Sequence, residues 1–159
     1  MKRPVYLSDF GVVSAIGVGK DAVWKVASSG APSGIRAGER GGATLSLALA
    51  PDLGRVTSLG MPFDNRVNAL LEAALAELRP SVEAALTRYG PDRVAACVGS
   101  CDNGSELSCE ALAYSKREGR FPEAYSLECQ RADLPARFAA AYFGLAGPVI
   151  AYSTACASS

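Results

Sequence analysis

The sequence contains no histidine. That removes the commonest general base near neutral pH and the commonest nitrogen ligand for a metal. Chemistry performed by this chain alone falls to thiols, carboxylates, amines and backbone groups. An excess of either charge is also lacking. Sixteen Lys and Arg balance sixteen Asp and Glu, for a formal net charge of zero, which removes the global electrostatic case for nucleic acid or an anionic membrane as partner. No apolar run nears the roughly 18 residues of a membrane span. The opening MKRPVYLSDF is cut by Asp9 before an apolar signal-peptide core forms, so a cytoplasmic location is expected. There is no internal repeat, no low-complexity tract and no linker. A chain of 159 residues without such breaks reads as a single domain with a real core.

The composition that remains is that of an ordinary globular protein, 49% hydrophobic and 20% charged. The cysteines are Cys97, Cys101, Cys109, Cys129 and Cys156, an odd number. Without a secretory signal they read as reduced thiols rather than a disulfide framework. No Cys-x-x-Cys pair is present, so no metal is expected. GVGKD, at 17–21, lacks the Gly-Lys-[Ser/Thr] ending and the spacing of a phosphate loop, and no cofactor is expected either.

Along the chain, RPVYLSDFG reads as a strand ending at Gly11. Asp21 is a candidate cap for a short helix with Val23, Trp24 and Val26, closed by Gly30, and Trp24 is expected to be a core anchor. The Gly-rich stretch 31–49 reads as a loop with a short strand at Thr44 to Leu49. DNRVNALLEAALAEL is the clearest helix: Val67, Leu70, Leu71, Ala74, Leu75 and Leu78 recur at helical spacing, with Asp64 as its cap. Pro80 interrupts the pattern, and Ser81 caps a second helix that ends at Gly90. DRVAACVGS is a buried strand, and Cys97 is expected within it. A helix begins near Ser105. RADLPARFAAAYFG is a further helix, with Pro135 in its first turn, and GPVIAYSTAC is a strand. YSKREGRFPE, at 114–123, reads as a solvated helix end. Strands separated by helices predict an α/β fold with a mixed, mostly parallel sheet flanked by helices.

The last strand runs into YSTACASS at 152–159. A strand feeding a turn of small residues is a recurrent way to present a nucleophile, because small neighbours let a carbonyl come close. Free N–H groups of a following helix would favour the thiolate and a developing oxyanion. Residue chemistry alone leaves two readings of Cys156 open, a nucleophile or a small buried hydrophobe. Asp102, Asn103 and Ser105 are likewise either site residues or good turn and cap residues, and the structural reading is preferred.

FGLAGPVIAYSTACASS strongly resembles the nucleophile segment of the β-ketoacyl-acyl-carrier-protein synthases. The shared pattern is a Gly-Leu-x-Gly-Pro turn, a strand, then Thr-Ala-Cys-[Ala/Ser/Thr]-Ser. VYLSDFGVVSAIGVGKDAVWKVASSGAPSGI and VGSCDNGS resemble that family's opening and its Gly-Ser-x-x-x-Gly turn, in order and with compatible spacing. Ser8-Asp9-Phe10-Gly11 stands where the family usually has Thr-Gly-x-Gly. The resemblance implies part of the N-terminal half of a thiolase-like fold, layered α/β/α/β/α when whole. It reads residues 1–159 as the N-terminal portion of that domain, stopping just after the nucleophile.

What the resemblance implies for chemistry is acyl transfer to Cys156, whose backbone N–H forms part of the oxyanion hole. Decarboxylative condensation with malonyl-carrier protein follows, assisted by two histidines of the family's second half. The chain alone is therefore expected to be inactive. Implied partners are acyl- and malonyl-loaded acyl carrier protein, and a second ketosynthase subunit, identical or related, joined through the strand Val149 to Ser153. Acyl length and pathway, fatty acid or polyketide and polyene, are left open. The alternative reading is a non-catalytic partner of a catalytic ketosynthase subunit, against which the cysteine itself argues.

Overall fold

A computed structural model describes residues 4–30, 34–101 and 104–154. The chain divides into two compact units, Met1–Asp52 with Ala73–Ser81, and Leu53–Glu72 with Val82–Ser159.

In the first unit, β1 (Val13–Ser14) and β2 (Gly17–Val18) form a small antiparallel hairpin, followed by α1 (Lys20–Ser28). Asp21 lies inside the first turn of α1 and is not its cap; Gly19 holds that position and has no side chain to offer. The orphan donors are met instead by Glu77, whose carboxylate accepts the Lys20 N–H at 3.0 and 3.1 Å and the Val12 N–H at 3.3 Å. Asp9 is held in the same way, accepting from Lys20 Nζ at 2.8 Å, from the Ser81 hydroxyl and from the Phe10 N–H at 2.9 Å. The Lys20 hydrogen bond first, then those of Ser81 and Phe10, bring the Asp9 carboxyl down from 3.8 to about 2. Ser81 therefore serves Asp9 rather than capping a helix. Gly11 has its own reason to be glycine, since a Cβ there would stand 2.0 Å from the Ala74 carbonyl oxygen.

Three expectations are corrected in this unit. Residues 4–12 form no strand, and Val5, Tyr6 and Leu7 are almost wholly exposed. The segment is β-prone, but no described strand lies beside it to complete a ladder. Trp24 is no core anchor. It is 73% exposed, on a helix with no buried residue. The stretch read as a loop with a short strand at Thr44 to Leu49 is a hairpin of two six-residue strands, β3 (Ile35–Arg40) paired antiparallel with β4 (Ala43–Ala48); the short strand is there, and the loop before it is its partner. Its turn is Gly41-Gly42, with φ of 59° and 81°. Positive φ at both central residues suits the two-residue turns that match strand twist.

α2 (Arg66–Ala76) opens in the second unit and closes in the first. Its cap is Asn65, not Asp64: Asn65 Oδ1 accepts the Asn68 N–H at 2.8 Å, and the Asn65 carbonyl accepts the Ala69 N–H at 3.0 Å. Asp64 turns to Thr57, accepting its N–H at 2.8 Å and its hydroxyl at 3.1 Å. α3 (Arg79–Tyr89) takes Pro80 into its first turn, where a missing N–H costs nothing.

The core of the second unit is β5 (Ala96–Gly99) paired in parallel with β6 (Val149–Tyr152), and α5 (Leu134–Phe143) packed on both. α4 (Ser105–Glu118) connects them with a 3-10 turn at Leu127–Gln130. α5 buries Leu134, Ala136, Phe138, Ala139 and Ala140. Pro135 lies in its first turn as expected, and Gly144, at φ 67°, closes it. The Phe138 ring is wholly buried, edge-on to Phe63 at 5.7 Å and stacked on Tyr142 at 5.9 Å.

Candidate active site

The geometry of the site begins with strand direction. β5 and β6 are parallel, in the register Ala96 to Val149 through Gly99 to Tyr152. Their carboxyl ends therefore share one edge, the edge at which parallel α/β sheets place their ligands. The Ser100 N–H extends the pairing there, donating to the Tyr152 carbonyl at 3.2 Å. Two chain segments leave this edge. One passes Ser100 and Cys101 and opens α4 at Ser105 through Gly104, whose φ is 89°. The other continues through Ser153 and Thr154 toward Cys156. Cys156 lies outside the described residues, as do Asp102 and Asn103. The opposite end of the pair is fixed by the Gly-Leu-x-Gly-Pro turn. The N–H groups of Ala146 and Gly147 both donate to the Pro91 carbonyl, at 2.9 and 3.0 Å, and Pro148 accepts from Ala96 at 3.0 Å.

The other thiols are dispersed. Cys129 is buried, whereas Cys97, Cys101 and Cys109 are exposed. This corrects the expectation for Cys97, which shares a face of the sheet with its partner Ile150, 51% exposed. No described helix buries that face. Among the described residues, no three His, Cys, Asp or Glu side chains gather as a metal-binding group.

Beside Gly104 a cavity of about 570 Å³ opens along α4. Leu107, Ala111 and Tyr114 line it from α4, Tyr125 and Cys129 from the segment after it, and Met61 from the loop before α2. This cavity has no counterpart among the residues expected from the sequence. Its signal was the i, i+4, i+7 spacing of Leu107, Ala111 and Tyr114, one face of a helix. Glu110 and Arg117 add charge to a mainly apolar lining. Glu110 is clamped by Arg55 through two parallel bonds of 2.7 and 2.8 Å, and that guanidinium holds its carboxyl below the usual range. Arg55 also approaches Glu106 at 3.5 Å, and Glu106 accepts the Arg66 N–H at 3.3 Å, at the start of α2. The stretch read as a solvated helix end contributes Tyr114, Arg117 and Pro122 to the cavity.

Residues 64–159 match the family model described as "Beta-ketoacyl synthase, N-terminal domain". The chain belongs to the β-ketoacyl synthase family. Among solved structures, this ketosynthase chain is similar to the ketosynthase ApeO, in complex with its chain length factor ApeC, from Xenorhabdus doucetiae. The TM-score is 0.79 at 28% identity, over 97% of this chain and 40% of ApeO. The chain thus spans less than half the length of that neighbour. No curated protein sequence matches it. The parallel β5–β6 pair and its helices are accordingly part of a thiolase-like α/β fold. The Thr154-to-Ser158 motif and the Gly144-to-Pro148 turn lie inside the matched region. Among the described residues, no helix is long and apolar enough to cross a membrane.

Proposed function

We propose that residues 1–159 are the N-terminal portion of a cytoplasmic β-ketoacyl-acyl-carrier-protein synthase and supply its nucleophile, Cys156. The observation that carries this reading is a cysteine in a family motif, four residues beyond the end of β6, in a chain whose family match runs through it. The Cys156 thiolate attacks the carbonyl of an acyl thioester on the carrier protein. A carbon–sulfur bond forms, the carrier thiolate leaves, and the oxyanion formed on the way is held in part by the Cys156 N–H. Malonyl-carrier protein then loses CO₂, its carbanion attacks the acyl-cysteine, and the cysteine thiolate is released as the β-ketoacyl product forms. Stabilisation of the enolate falls to histidines that this chain does not contain. The apolar cavity beside Gly104 takes the acyl chain, which its lining suits.

The second subunit is a ketosynthase or a related, chain-length-factor-like chain. The ApeO–ApeC complex supports such a pairing, and the exposed Val149, Ile150 and Tyr152 of β6 offer an apolar strand for it. Incubating the complete protein with acyl-carrier protein should add one acyl group, at Cys156, and none in Cys156→Ala. The 159-residue chain alone should release no CO₂ from malonyl-carrier protein above that control. Acylation at another cysteine, or none at all, overturns the nucleophile assignment and favours the non-catalytic partner.

A further inference from the structure

The cavity is lined by the second unit alone. Its α4 wall runs from Leu107 to Arg117, about 15 Å at the helical rise of about 1.5 Å per residue. Three charged side chains interrupt an otherwise mainly apolar surface: Asp64, Glu110 and Arg117. The two carboxylates are already engaged. Asp64 accepts both the N–H and the hydroxyl of Thr57, and Glu110 accepts two bonds from the Arg55 guanidinium, which also offsets its charge. Arg117 is placed differently. Its ion pair with Glu118 is long, 3.9 Å, and joins two largely exposed side chains. Its guanidinium lies 5.8 Å from the centre of the Tyr114 ring, which also lines the cavity, so the cation is held at the cavity wall. A guanidinium is a planar fork of N–H donors that matches a carboxylate.

We propose that the cavity binds a free aliphatic carboxylic acid, with its tail along the apolar face of α4 and its carboxylate on Arg117. The tail crosses Ala111 and runs toward Leu107. An alcohol of the same length fills the tail site but brings no charge to the guanidinium. An alkylammonium sets its charge against Arg117 and finds both carboxylates taken. The acid is held without a covalent bond, and Cys156 takes no part.

Calorimetry measures the binding of decanoate and of decanol to the complete protein at neutral pH, below the concentration at which either aggregates. Decanoate should bind more tightly than decanol. Arg117→Gln should weaken decanoate about three- to tenfold, the range for a charge-assisted pair discounted for exposure, and leave decanol unchanged. Glu118→Gln removes the carboxylate that competes for Arg117 and should keep or tighten decanoate binding. Ala111→Leu grows into the cavity and should weaken both ligands alike; Ala113→Leu, at an exposed position of the same lining, serves if Ala111→Leu does not fold. Absence of decanoate binding overturns the proposal. So does an unchanged decanoate-to-decanol ratio in Arg117→Gln, or an equal fall of that ratio in Glu118→Gln. Affinities unchanged in the cavity-filling variant that folds put the tail elsewhere and overturn it too. Acylation of Cys156 is measured separately. If decanoate does not bind and Cys156 still takes an acyl group, the ligand proposal fails and the ketosynthase reading stands; if decanoate binds as expected and Cys156 takes none, the reverse holds.

Discussion

Gly147 is a place where one methyl group should cost more than its size suggests. Its backbone is not left-handed, so conformational preference alone makes Gly147→Ala mild. Contact argues otherwise. The new Cβ would stand 2.4 Å from the Val94 carbonyl oxygen, 2.9 Å from its carbon and 3.0 Å from the Asp92 oxygen. Carbon–oxygen contacts settle at about 3.3–3.6 Å, so the turn must open by about 1 Å. The bonds from Ala146 and Gly147 to Pro91, and from Ala96 to Pro148, are 2.9 to 3.0 Å long. An opening of that size takes the nearest of them out of hydrogen-bond range. Overpacking contributes about 1–3 kcal/mol and one lost bond about 1 kcal/mol, together about 2–4 kcal/mol. With a urea m-value of about 2 kcal/mol/M, the midpoint falls by about 1–2 M. The comparison is Gly144→Ala, at φ 67° with no atom within 4 Å of its Cβ, which carries only the left-handed cost of about 1 kcal/mol. Urea titration of both variants, followed by fluorescence and circular dichroism, gives the order. If Gly144→Ala costs more than Gly147→Ala, the contact argument is wrong.

Phe138→Ala should destabilise the second unit by about 3–5 kcal/mol, because the ring is wholly buried between Phe63 and Tyr142; a urea-midpoint shift worth less than about 1 kcal/mol would place the core elsewhere. Asp9→Asn should be destabilising at neutral pH but not in strong acid. The Asp9 carboxyl is depressed from 3.8 to about 2 on folding, so its contribution is complete above the higher value and is lost as pH falls through the lower one. The gap in urea midpoint between the unaltered chain and the variant should therefore close between pH 4 and pH 2, and a gap constant over that range would rule out the carboxylate's charge as its source.

Legibility in the sequence followed the number of constraints on each segment. α5 and β6 carry several at once: an apolar helix, Pro135 in its first turn, Gly144 at its close, and the Gly147-Pro148 turn. The helix, its first-turn proline and the strand after Pro148 were read, although the strand expected over GPVIAYSTAC ends at Tyr152. α4 followed from its turn residues. The failures share one cause. The strand expected at 3–11, the anchor expected at Trp24 and the buried setting expected for Cys97 were inferred from apolar or β-prone character. Such character states what a residue tolerates, not what covers it. At 35–48 the strand expected at Thr44 to Leu49 is present as β4, and what went unread is its partner: IRAGER has no apolar alternation because both its faces are largely exposed, and only Gly41-Gly42 signalled it. Asp64 and Asn65 compete for one cap. The spacing to α2 fits either, and the Thr57 bonds that occupy Asp64 are tertiary.

The candidate site was legible by motif and not by side-chain chemistry, and the reason is physical. The chain holds no histidine, and the one contact described at the carboxyl edge of β5 and β6 is backbone, the Ser100 amide on the Tyr152 carbonyl. Among the described residues, the carboxylates with lowered proton affinity each have a cationic partner: Asp9 has Lys20, Glu110 has Arg55, Asp133 has Arg131. Each is accounted for as an ion pair, and none is needed as a base. Backbone constraints of this kind leave their trace as small residues at fixed places, which is why Thr-Ala-Cys-Ala-Ser, Gly-Leu-x-Gly-Pro and Gly-Ser-x-x-x-Gly were readable when no acid–base pair was.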